Sequence, residues 1–300
     1  MDMYQKREMR KNKKMNEDTK SLPSTSINWY PGHMKKTKDE LKKVMPYIDI
    51  VYEVIDARIP YSSKIKDIDS IIRNKTRILI MSKKDLCDIN VTNSWIKYYE
   101  EMGYKVLLID LNDQNDYKKI TLLTNDLVSH INKKRKANGL KEKEIKACVL
   151  GIPNVGKSTL INKLAGKKVS KVGNLPGVTK SLTWLKTKYK LLILDTPGIL
   201  WPKFDDEKIA FNLASMTAIK EDVLPIGDIA YYILNTLGKY YPDILNSRYK
   251  IDEVTEDSFD IIAKNIGAIS NGEVDYTRVY KMIINDVKQE YIKGITFDRR

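Results

Sequence analysis

The string Gly151-Ile-Pro-Asn-Val-Gly156-Lys157-Ser158 is a complete GxxxxGK[ST], and those residue types at that spacing suit one task, gripping a polyphosphate. The glycines let backbone N–H groups curl around the α- and β-phosphates, so Asn154, Val155, Gly156, Lys157, Ser158 and Thr159 form the expected cradle. Lys157 is placed to reach the β- and γ-phosphates, and the Ser158 hydroxyl to ligate Mg²⁺. Further on, Asp195-Thr-Pro-Gly198 supplies a carboxylate that would meet Mg²⁺ through water and a Gly198 N–H aimed at a γ-phosphate. Alone, DxxG is an ordinary turn; at this distance after a phosphate loop it is a signature. Thr179 lies between the two, with Thr183 and Thr187 nearby, and its hydroxyl would complete the magnesium shell when a γ-phosphate is present.

A purine needs its own reader. Met81-Ser82-Lys83-Lys84-Asp85 resembles the NKxD loop of GTPases, with Asp85 accepting from the guanine N1–H and amino group and the Lys83 stem covering the ring. Ser82 stands where Asn is usual, which removes an amide partner to the purine and to the phosphate loop. Asp110-Leu111-Asn112 occupies the place where GTPases offer a backbone N–H to the guanine oxygen.

Short β-branched runs must carry these loops. Segments 48–56, 76–81, 105–109, 147–150 and 191–194 read as strands buried on both faces, and helical patterns at 66–73, 92–102, 117–132 and 158–165 alternate with them. The alternation predicts a three-layer, mainly parallel α/β sheet. Each motif ends a strand, where open α/β sheets bind ligand. The order is unusual, because the base-reading loops near 85 and 110 precede the phosphate loop at 151. The same sheet results if the chain is circularly permuted and 133–146 (KKRKANGLKEKEIK) links the former ends. Beyond Pro202 the periodicity is helical. Tyr276, Val279, Tyr280, Ile283, Ile284, Val287 and Tyr291 mark one face of a helix, 259–269 suggests another, and the last third reads as all-α. The expected organisation is a basic, disordered arm over 1–26, a nucleotide domain over 27–202 and a helical domain over 203–300. The segment that follows Asp195 then leads directly into the helical domain, so nucleotide state should bias its placement.

Three further strings accompany the reordered motifs: Trp29-Tyr30-Pro31-Gly32-His33-Met34, Asp56-Ala57-Arg58-Ile59-Pro60 with Ser62-Ser63, and Gly198-Ile199-Leu200-Trp201-Pro202. Together, over residues 27–297, they resemble the ribosome biogenesis GTPase A family. The resemblance implies a circularly permuted GTPase that binds GTP, GDP and Mg²⁺ and acts in late assembly of the large ribosomal subunit. It also implies that the helical domain binds rRNA. Tyr30, Ser82, Asn265 and Gln289 depart from the family pattern, the last two among expected RNA contacts.

Hydrolysis needs an oriented water and neutralised phosphoryl charge. Ile199 occupies the place after DxxG where many GTPases have Gln, and it can neither donate nor accept. His33 resembles the family's water-orienting histidine; binding rRNA or capping a loop are its other readings. His130, mid-pattern in DLVSHINKK, reads as a helix-surface residue. Asn154 resembles the asparagine of potassium-activated GTPases, where a K⁺ does the work of an arginine finger, though Asn also suits such loops for conformational reasons. Two functions remain open at this stage: a particle-stimulated GTPase, and a nucleotide-gated RNA-binding scaffold with incidental hydrolysis. A P-loop ATPase or kinase is disfavoured by Asp85.

Composition sets the class. The 300 residues carry 53 Lys and Arg against 39 Asp and Glu, a formal charge of +14 that favours a polyanionic partner, nucleic acid first. Runs such as 6–14 and 133–136, with Arg278, Lys281, Lys288 and Lys293, could add phosphate contacts. Two cysteines, Cys87 and Cys148, build neither a disulfide framework nor a CxxC zinc site. With no apolar run long enough for a membrane span, a monomeric cytoplasmic protein is expected.

Overall fold

The computed structural model describes residues 32–66, 68–166, 182–187, 189–199, 206–219, 223–270 and 272–300. The expected arm, Thr179, and the strings at 29–31 and 200–202 lie outside these residues.

Six strands form one sheet: β1 (Ile50–Asp56), β2 (Thr76–Ser82), β3 (Lys105–Leu108), β4 (Ile145–Leu150), β5 (Thr183–Lys186) and β6 (Leu191–Asp195). Their order is β3-β2-β1-β4-β6-β5, parallel except for β5, which runs antiparallel to β6. β1 is buried along its whole length because it is central and covered on both faces. On one face Tyr52 packs towards helix α4 (Gln114–Ala137), its hydroxyl 2.8 Å from Thr124 Oγ1. On the other, Ile55, Leu79 and Met81 pack with Trp95 and Tyr99 of α3 (Ile89–Glu101). Ile50 of β1 aligns with Thr76 of β2 and with Ala147 of β4. This central β1–β4 seam joins stretches of chain almost a hundred residues apart and realises the permuted sheet. Because the chain turns one way from β1 to β2 and the other way to β4, a crevice opens at their carboxyl ends.

Local expectations were corrected at the margins. β3 is not buried on both faces: it is an edge strand with Lys105 exposed. Among the described residues of the expected 66–73 helix, Asp69–Ile72 forms helix α2. Half of the expected linker 133–146 is regular structure. α4 continues to Ala137, where Lys134, Arg135 and Lys136 complement the helix dipole, and β4 begins at Ile145. The connection is therefore 138–144, tied back by Arg135 Nε donating to Lys141 O at 2.9 Å. His33 lies in the first turn of α1 (Gly32–Val44) rather than in a loop, and its side chain is outside the described atoms.

After β6 come α6 (Glu207–Ser215), α7 (Ile226–Tyr240), α8 (Pro242–Tyr249), α9 (Ser258–Ile266) and α10 (Tyr276–Lys288). The stripe Val279, Ile283, Ile284 and Val287 is buried as its spacing predicts, while Arg278, Lys281 and Lys293 are exposed. The helix expected over 259–269 stops at Ile266, because Gly267 takes a left-handed C-cap (φ 65°). Ile269–Ser270 (β7) and Glu273–Val274 (β8) then pair as a small hairpin, so the last third is not purely α-helical. Segment 292–300 leaves α10 and returns to the sheet, where Phe297 N donates to Arg58 O at 2.7 Å.

Candidate active site

The phosphate loop joins β4 to α5 (Lys157–Ala165), as its motif requires. Gly156 adopts φ 90° before the first helical turn, a conformation costly for any residue with a Cβ. Ser158 and Thr159 are half-buried at the helix start, where backbone N–H groups point outward. Lys157 is buried and folds back, its Nζ donating to Ile152 O at 2.7 Å. Burial pushes its ammonium down to about 8, partly opposed by the charge of Asp195. Asp195 is itself buried at the end of β6, so cation and carboxylate face one another across the loop.

The Asp195–Gly198 segment lies directly on the phosphate loop. Ile199 N donates to Gly151 O at 3.1 Å, and Thr196 Oγ1 to Val149 O at 2.6 Å. A Cβ on Gly198 would fall 2.7 Å from Pro153 N, so only glycine permits the approach. Ile199 is fully buried.

The base-reading loops arrive from the other side. Ser82 Oγ lies 2.7 Å from Val155 O and 3.0 Å from Ile55 O. The tie to the phosphate loop expected to vanish with the missing Asn is thus kept by a shorter side chain. A Cβ on Gly156 would meet Leu111 Cδ1 at 2.9 Å and Ser82 Cβ at 3.8 Å. Three loops, following β2, β3 and β4, converge at one point.

Asp85 is exposed on this rim, and partial burial together with Asp110 raises its carboxyl above the ordinary value. Asn112 N donates to Asp110 Oδ1 at 2.8 Å. Lys83, at φ 60°, does not extend into open space: its ammonium lies 3.0 Å from Asp56 Oδ2. Asn154 is likewise engaged. Its Nδ2 donates to Thr217 O at 2.6 Å, linking the phosphate loop to the turn after α6.

Two further residues organise the site, Asp116 outside every motif and Asp56 at the head of the Asp56–Pro60 string. Buried Asp116, in the first turn of α4, accepts from Asp110 N at 2.9 Å and pairs with Lys84 and Lys119. Buried Asp56 holds Arg58 by three bonds, from its backbone N and Nε at 3.0 Å and from Nη2 at 2.8 Å, besides Lys83. Burial alone would raise the Asp56 carboxyl, but Arg58 and Lys83 outweigh it and hold it well below the usual carboxylate range. The signal for Asp116 was its place in a first helical turn; for Asp56 it was a charge at the end of a buried strand.

This sheet, this loop order and this convergence define a circularly permuted P-loop GTPase. The family described as "50S ribosome-binding GTPase" matches residues 146–263, beginning at β4. The Ribosome biogenesis GTPase A of Priestia megaterium is 42% identical over 278 residues, 91% of this chain and 96% of its own. That of Bacillus licheniformis is 41% identical, over 91% and 98%. The crystal structure of GNP-bound YlqF from T. maritima shares the fold with a TM-score of 0.61 at 23% identity, over 88% of this chain and 98% of that one. The chain belongs to the ribosome biogenesis GTPase A family. It is a GTP hydrolase, and the reading as a scaffold with incidental hydrolysis is not favoured. Among the described residues no helix is long and apolar enough to cross a membrane.

Proposed function

We propose that this protein hydrolyses GTP on a precursor of the large ribosomal subunit, as a cytoplasmic monomer, using rRNA contacts from its helical domain. The observation that supports the site assignment is the meeting of Ser82, Leu111 and Gly156, which brings the base-reading and phosphate loops together. In this reading Asp85 accepts from guanine, with Asp110, Leu111 and Asn112 along its edge. Lys157 leaves Ile152 O for the β- and γ-phosphates, and Gly198 N–H meets the γ-phosphate.

Ser158, Asp195 and Thr179 are the oxygen donors for Mg²⁺, a donor set that suits a hard cation sharing its shell with water and phosphate. Bound there, Mg²⁺ would neutralise developing phosphoryl charge. Asn154 would offer Oδ1 to K⁺ while Nδ2 stays directed at Thr217. His33 is assigned to orient water, since buried Ile199 has no polar atom for it. The rRNA surface includes the cleft of about 520 Å³ on the helical domain where Arg278, Lys281 and Tyr291 stand beside Asp275 and the Arg248–Asp286 pair.

The test is base preference. Asp85→Asn should shift binding from GDP towards xanthosine diphosphate; an unchanged GDP preference would refute the guanine contact. Co-sedimentation with ribosomal particles in GTP-analogue and GDP states tests the partner.

A further inference from the structure

Segment 292–300 follows the last helix and has no helical apolar periodicity, yet it makes a dense set of long-range polar contacts. Gly294 N and Ile295 N both donate to Leu86 O, at 2.8 and 3.1 Å. Asp88 N donates to Thr296 Oγ1 at 3.1 Å, and Phe297 N to Arg58 O at 2.7 Å. The segment is anchored by Asp298, which is 4% exposed. Its carboxylate accepts from Tyr61 N at 2.8 Å, Ser62 N at 2.7 Å, Ser62 Oγ at 2.7 Å and Asn212 Nδ2 at 2.8 Å. Tyr232 OH orients that amide by donating to Asn212 Oδ1 at 2.7 Å. Four donors satisfy a buried carboxylate that would otherwise be costly to bury, so the anchor has one geometry.

The place of these contacts matters more than their number. Asp85 sits between two pinned neighbours. Lys84 N donates to Ile109 O at the end of β3, and Leu86 O receives both amides of the returning segment. On the other flank, Arg58, whose carbonyl takes Phe297 N, grips Asp56, and Asp56 grips the Lys83 ammonium. The field of Glu290 and Lys293 also reaches the Asp85 carboxyl. A misplacement of about 1 Å at a positioned polar group can cost up to about a hundredfold.

We infer that segment 292–300, anchored by Asp298 on Ser62 and Asn212, is a positioning element for guanine recognition: it fixes the loop that carries Asp85 and so sets base affinity from the far end of the helical domain. This rests on the reading of Asp85 as the guanine carboxylate. It also assigns a task to Ser62 and the Asp56–Arg58 pair, which touch neither phosphate motif.

The experiment compares two probes on the full chain, GDP and inorganic tripolyphosphate, both with magnesium. Tripolyphosphate engages the phosphate loop, the Asp195–Gly198 segment and magnesium, but neither base-reading loop. Asp298→Ala should raise the GDP Kd about tenfold and leave the tripolyphosphate Kd within about twofold. Asp298→Asn, still able to accept from the Tyr61 and Ser62 amides, should recover most of the affinity. Unchanged GDP affinity in Asp298→Ala, or equal loss for both probes, would overturn the inference. Should Asp298→Ala lose its cooperative melt, Thr296→Val replaces it, removing the hydroxyl that accepts from Asp88 N and lies 3.1 Å from Thr92 Oγ1; the same split is expected, and its absence overturns the inference. Asp85→Asn runs alongside. If that variant keeps its guanine preference, the base assignment itself falls; if it loses preference while Asp298→Ala binds GDP normally, only the positioning role falls.

Discussion

At the scale of single residues, Lys157 makes the sharpest prediction. Its amine is depressed to about 8 before nucleotide binds, and phosphate would favour the charged form and raise it. Binding then takes up a proton above pH 8, so GDP affinity should be flat from pH 6.5 to 7.5. Above pH 8 it should fall, by up to about tenfold per unit. Calorimetric titration at pH 7 and 9 checks this, and Lys157→Arg should move the inflection out of range. Asp56 gives the opposite sign in stability. Held well below its ordinary value, its charge stabilises the fold above about pH 4 and loses that effect as pH falls further. Asp56→Ala strands the buried Arg58 and the half-buried Lys83 and should cost about 3–5 kcal/mol in urea unfolding. Ser82→Ala should cost about 1 kcal/mol and weaken GDP binding, because the Val155 and Ile55 carbonyls lose a shared donor. Sequence reasoning treated Ser82 only as a deficit. The compensation was invisible because it depends on how closely β2 and the phosphate loop approach, a distance no spacing encodes.

Among elements, the loops were legible and the edges were not. β1, β2, β4 and β6 announce themselves by apolar β-branched runs because both their faces are covered. β5 does not, since Thr183, Trp184 and Lys186 are exposed and nothing in their pattern marks a strand. The basic run after residue 132 looked like a linker for a related reason: its charges belong to the last turns of α4, where solvent and the dipole both welcome them. The contact between the Asp195–Gly198 segment and the phosphate loop is an element-level joint, and Gly198→Ala tests it. The added methyl would force Pro153 away and should cost about 1–3 kcal/mol in stability, with reduced GTP turnover. Thermal melts beside a phosphate-release assay separate the two effects. An unaltered melt with unaltered turnover would show that the two loops need not touch.

Across the whole molecule, the nucleotide and helical regions share one continuous core, and residues from β1 to α10 contribute to it. The sequence announced a change of periodicity after residue 202 but not this continuity, which comes from contacts such as Asn212 to Asp298 and Asn154 to Thr217. With the phosphate loop bonded to the turn after α6, Asn154→Ala should weaken the response of the helical region to nucleotide. Hydrogen exchange around Thr217 with and without a GTP analogue reads that response directly. The central seam between β1 and β4 has a consequence for how the protein is made. In translation order the guanine-reading half emerges first, as a three-stranded fragment in which β1 is an edge strand, mostly apolar and not yet paired with β4. Until β4 is synthesised, that edge is an invitation to mispairing, and it should make the nascent chain a client for chaperones.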